Sequence, residues 1–86
     1  MTRLGQQRHD EWRAMDDLAM ECALDAQRYA LSNANLAAMF SAAGHAYNIA
    51  ADLCDKGAPL QQKMVATKRA EALLDEARRT ECSEYA

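Results

Sequence analysis

His45 is the side chain best placed to do chemistry near neutral pH, where imidazole is the usual general base and a common metal ligand. Helical spacing gathers Ser41, Asn48 and Asp52 around it. Ser41 and His45 lie one turn apart and could pair as nucleophile and base, but acyl transfer also requires an orienting acid and oxyanion donors. Nothing in the chain points to either. There is no Glu-x-x-His pair and no second histidine four residues on, the spacings that build helical metal sites. His45 therefore reads as a surface histidine, and His9, in a polar N-terminal stretch, has no better support. Cys22, Cys54 and Cys82 are odd in number and lack CxxC spacing, which argues against a zinc site or a disulfide framework. Cys22 and Cys54 fall on apolar helix seams and read as small core residues, leaving Cys82, near the C-terminus, as the thiol most open to reaction. Gly5, Gly44 and Gly57 are isolated, so no phosphate-binding loop is present. A pocket of roughly 300 Å³ or more is also hard to hollow from so small a core. The expectation is a protein that is not an enzyme, with no catalytic or metal-binding residues and no cofactor.

Charge is the next source of chemistry. Asp10, Asp17, Glu21 and Asp25 lie along one flank of the first helical segment with Arg28 close by. One reading is a solvated face; the other is an acidic surface that docks onto a basic site in a partner. The net charge of −3 and the dispersal of ten Lys and Arg among thirteen Asp and Glu give no general attraction to phosphate backbones. A nucleic-acid accessory role through Arg3, Arg8, Arg13, Lys63, Lys68, Arg69, Arg78 and Arg79 is thus only a third choice.

The elements that must position these residues follow from periodicity. Small and apolar residues recur at steps of three and four from Trp12 through Met15, Ala19, Cys22, Ala26 and Tyr29, and again from Leu36 through Phe40, Ala43, Tyr47, Ala50 and Cys54, the signature of helix seams. Half of the 86 residues are apolar, with few aromatics and one proline, which favours helix in a single small domain. The fold expected is all-α, a small antiparallel three-helix bundle with helices over about 8–31, 34–55 and 59–80 and flexible ends at about 1–6 and 81–86. Acids near the start of the first helix suit the positive end of its dipole. Ser32-Asn33-Ala34-Asn35 interrupts the first segment, with Ser32 or Asn33 as cap of the second. The competing reading is one continuous helix from about Asp10 to Cys54, with Asn33 as a polar seam residue. Gly57 and Pro59 mark a stop and a start. Helix 3 carries a stripe of Leu60, Met64, Ala66, Ala70, Leu73, Leu74 and Ala77. Helix 2 has the widest apolar arc and reads as the central helix, touching two neighbours.

Helix 1 has apolar residues to spare. Met20, Leu24 and Leu31 project away from its seam, so either helix 3 or the N-terminal segment covers them or they form a contact surface for another chain. The region from Asp25 to Arg78, through Asp25-Ala-Gln-Arg-Tyr29, Asn35-Leu-Ala-Ala-Met-Phe40 and Arg69-Ala-Glu-Ala-Leu-Leu74, resembles microtubule-interacting-and-trafficking domains and the helical hairpins of tetratricopeptide repeats. The resemblance implies a peptide-binding groove between helices. No family binding residue is carried over, and the turn of the repeat does not align with Gly57 and Pro59. The functional expectation is a small protein-interaction module, an adaptor or stoichiometric inhibitor of the kind mobile elements encode, with Met20, Leu24 and Leu31 as anchors and Asp17, Glu21 and Asp25 as a charged rim. An obligate homodimer paired through helix 1 is the alternative. The N-terminus lacks an apolar leader, and no apolar run approaches the roughly 18 residues of a membrane span; a cytoplasmic location is expected.

Overall fold

A computed structural model describes the backbone of residues 3–85 and the side chains of residues 12–85. Three helices run up, down and up: α1 (Arg3–Tyr29), α2 (Ala34–Lys56) and α3 (Leu60–Tyr85). The all-α bundle expected from periodicity is the fold. α2 packs against both α1 and α3, whereas α1 and α3 approach each other far less, so the helix with the widest apolar arc is the central one.

The first break is a turn. Asn33, rather than Ser32, caps α2: its side chain accepts a hydrogen bond from the Leu36 amide at 3.1 Å, satisfying one of the donors a helix start leaves unpaired. Its own amide donates to the Tyr29 carbonyl at 2.8 Å. The continuous helix is thereby ruled out. At the second break Gly57 adopts φ 68° and ψ 37° and ends α2. The Gly57 amide donates to the Cys54 carbonyl and the Ala58 amide to the Leu53 carbonyl, the paired bonds of a Schellman motif. Only glycine holds that left-handed conformation without steric cost.

Helix boundaries differ from expectation at three places. α1 starts at Arg3 and not near residue 8, because Gln6, Gln7 and Arg8 are good helix formers and Gly5 alone costs only about 1 kcal/mol. Its first turn therefore holds no acid, and the favourable dipole placement read from Asp10, Glu11, Asp16 and Asp17 does not apply. α1 ends at Tyr29, which places Leu31 in the turn and off the helix. α3 continues to Tyr85, past the expected end near residue 80. Its last turns are held from outside: the Tyr29 hydroxyl donates to Glu81 at 2.6 Å, the Asn33 side-chain amide donates to Glu84, and the Tyr85 ring lies 5.3 Å from that of Tyr29. Met1, Thr2 and Ala86, at the ends read as flexible, lie outside the described residues.

The core has two clusters. Ala19, Cys22, Ala43, Ala46, Tyr47 and Ala70 form one, with Met15, Leu18, Leu73 and Leu74 packed against it. Tyr29, Leu36, Phe40 and Ala77 form the other. Seven of the thirteen buried apolar residues described are alanine, small side chains that let helices sit close and bury little area per residue. α1 and α2 approach closely at Gly44, where an added Cβ would stand 3.1 Å from the Cys22 Cβ and 3.3 Å from the Ala19 carbonyl oxygen.

Arg78 ties the outer helices together. Its guanidinium meets Asp25 at 2.9 Å, Glu21 at 2.8 Å and Glu81 at 3.4 Å, and lies 5.1 Å from the centre of the Phe40 ring. Burial opposes the charge, but the carboxylates of Asp25, Glu81 and Glu21 outweigh it and hold the guanidinium pKa above its ordinary value. Asp25 is only 5% exposed.

Candidate functional site

Alanine packing between α2 and α3 leaves the larger side chains on one flank of the contact. On α2, Ala42, His45, Ala46, Ile49 and Leu53 share one face at steps of one, three and four; on α3, Gln62, Val65, Ala66, Arg69 and Leu73 do the same. Together with Gln61 they line an open groove of about 790 Å³ between the two helices. Its position resolves the objection drawn from core size: the groove lies on the surface between helices and is not hollowed from the interior.

Seven of the eleven lining residues are apolar, and two large ones among them, Ile49 and Val65, are 49% and 63% exposed. Large apolar side chains in a continuous concave strip are the usual mark of a helix-binding groove. The polar lining consists of His45, Gln61, Gln62 and Arg69, with no carboxylate, in a chain whose net charge is −3. Asp52, on the neighbouring flank of α2, is engaged by Lys56 at 2.9 Å. Arg69 enters no ion pair among the described residues, unlike Arg28, Lys56, Arg78 and Arg79. The groove thus offers apolar walls and a positive rim. A smaller cleft of about 320 Å³, lined by Met15, Cys54, Leu60 and Met64 among others, opens near the start of α3.

The residues expected from sequence to bind a partner separate into two groups. Met20 and Leu24 are 62% and 61% exposed on the outer face of α1, and Leu31 is fully exposed in the turn; α3 packs on α2 and does not cover them. Asp17 lies beside them, exposed. Glu21 is exposed but bound to Arg78. Asp25 is not a rim residue: it is buried beneath Arg78 because its position, three residues from Cys22 and four from Tyr29, turns it toward the core. The acidic flank is therefore in part an internal clasp.

His45 stands exposed on the groove rim, Cys22 and Cys54 are buried and Cys82 is exposed. Burial pushes the Cys22 thiol pKa up, an effect that Arg78 only partly offsets. Among the described residues no group of three His, Cys, Asp or Glu side chains could hold a metal ion, and no helix is long and apolar enough to cross a membrane.

The groove was missed in sequence because Ile49 and Leu53 look like ordinary members of the apolar arc of α2, while Val65 lies off the α3 stripe. The signal was the surplus itself. An arc wider than two alanine-lined contacts require must leave something uncovered. Comparison of the chain with known protein families, curated proteins and solved structures finds no match.

Proposed function

We propose that this chain is a non-enzymatic protein-interaction module, acting as an adaptor or stoichiometric inhibitor, and that it holds an amphipathic helix of its partner in the α2–α3 groove. The observation that carries this reading is the apolar strip of exposed Ile49 and Val65 with half-buried Leu53, rimmed by Arg69 without a carboxylate in its lining. From Ala42 to Leu53 the strip is about 16 Å long at 1.5 Å per residue, enough for three helical turns. An apolar stripe at i, i+3/i+4, i+7 and i+11 would fill it, and an acidic residue beside that stripe would meet Arg69. A groove between helices is also what the resemblance to microtubule-interacting-and-trafficking domains implies.

Burying one valine-sized side chain stabilises a complex by about 1.5–3 kcal/mol, so a charge placed at Val65 should weaken binding by at least tenfold. The test is recovery of the tagged protein from its native cells, with Val65→Asp and Leu24→Asp as controls. A stoichiometric partner lost with Val65→Asp supports the groove. Loss with Leu24→Asp alone moves the site to the outer face of α1.

A further inference from the structure

Among the described residues, the α2–α3 groove and the outer face of α1 are both apolar and open to solvent. We infer that the second is a ligand for the first, so that α1 of one copy docks into the α2–α3 groove of the next. The inference rests on the groove being a helix-binding site and adds an occupant. The chemistry of the two faces matches. The groove has Ile49, Leu53 and Val65 for apolar contact and Arg69 without an ion partner among the described residues. α1 presents Met20 and Leu24 one turn apart, with Asp17 one turn before Met20, exposed and likewise in no ion pair among the described residues. The lengths also agree. Asp17 to Leu24 covers about 10 Å, which fits within a groove of about 16 Å. Pairing α1 with α1 about a two-fold axis would cover one surface and leave the groove empty; the groove-to-α1 contact covers both.

Such a contact is heterologous. Each copy has one donor face and one acceptor face, so association continues into rings or open chains unless something fills the groove first. A partner helix in the groove would then compete with self-association, making the assembled form a reserve that the partner disperses.

Sedimentation velocity over a wide concentration range tests this. The unaltered protein is expected to grow beyond a dimer as concentration rises. Leu24→Asp spoils the donor face and Val65→Asp the acceptor, both at exposed positions, so each variant alone should keep its helical circular dichroism and sediment as a monomer. Mixed in equal amounts they should form a one-to-one heterodimer and nothing larger, since one intact donor meets one intact acceptor. Arg69→Glu should weaken association severalfold, and adding Asp17→Arg in the same chain should restore it. A monomer at every concentration overturns the inference, as does a mixture of the two variants that stays monomeric. A dimer that survives Val65→Asp also overturns it and indicates the α1–α1 pairing. If the protein remains monomeric yet recovers a different protein that Val65→Asp releases, the proposed function stands and self-docking falls.

Discussion

Replacing Arg78 by methionine should be among the most damaging single changes outside the apolar core. The substitution keeps much of the side chain's length and packing over Phe40 but removes the charge facing Asp25. That carboxylate is 5% exposed, and its buried Oδ2 faces the Arg78 guanidinium at 2.9 Å with no hydrogen bond to any other described group. What remains nearby is Arg28, 3.6 Å from Oδ1 and mostly in solvent. Removing one member of a buried ion pair typically costs about 3–5 kcal/mol, largely because the other charge is left without compensation. Arg78 retains about a third of its exposure, so water already screens the pair and the loss should fall to about 2–3 kcal/mol. For a chain of this size, whose total stability is of the order of 4–13 kcal/mol, that lowers the melting temperature by roughly 10–20 °C. Urea and thermal unfolding followed by circular dichroism measure it. Combining Arg78→Met with Asp25→Asn should recover more than half of the loss, because the stranded carboxylate is then gone. A single Arg78→Met within about 0.5 kcal/mol of the parent, the range of ordinary surface changes, would refute the clasp.

Gly44→Ala should destabilise by about 1 kcal/mol despite the gain of similar size that alanine brings to a helix interior, because the new methyl meets Cys22 Cβ at 3.1 Å and both belong to packed helices; a higher melting temperature would show that α1 and α2 yield easily. Asn33→Ala removes the α2 cap and the tie to Glu84 and should cost about 1 kcal/mol in urea unfolding, with no measurable change counting against the cap. Burial raises the Cys22 and Tyr47 pKa values, and the hydrogen bond to Glu81 raises that of Tyr29. The folded chain therefore holds protons that the unfolded chain releases, so stability should be full below about pH 8.5 and fall as pH rises through the thiol and phenol ranges. Cys22→Ala should flatten the start of that fall, whereas stability that stays level past about pH 10 would contradict the assigned burial.

Regular patterns made much of the fold legible. The seam from Trp12 to Tyr29, the capping chemistry at Asn33 and the Gly57–Pro59 punctuation each specify a local structure almost independently of the rest of the chain. Contacts between distant residues were less accessible. Helical spacing aligns Asp25 with Asp17, Glu21 and Arg28 and so suggests a rim residue; only the arrival of Arg78, more than fifty positions away, makes its burial tolerable. The same holds for the last turns of α3, which look free to unwind until Tyr29 and Asn33 are placed beside Glu81, Glu84 and Tyr85. The α1 stripe could be read because a helical wheel separates Met20 and Leu24 from the seam. The groove could not, since it depends on which flank of α2 receives α3 and on how closely alanine contacts let the two helices approach.

Everything functional rests on whether the α2–α3 groove holds a helix. The most direct test is to recover the tagged full-length protein from its native cells under gentle conditions and weigh the intact complex, beside the same experiment on Val65→Asp. The expected result is a stoichiometric complex with another chain that disappears in the variant while circular dichroism stays helical. Recovery of the same complex with Val65→Asp, or of no stoichiometric complex from either, would contradict it.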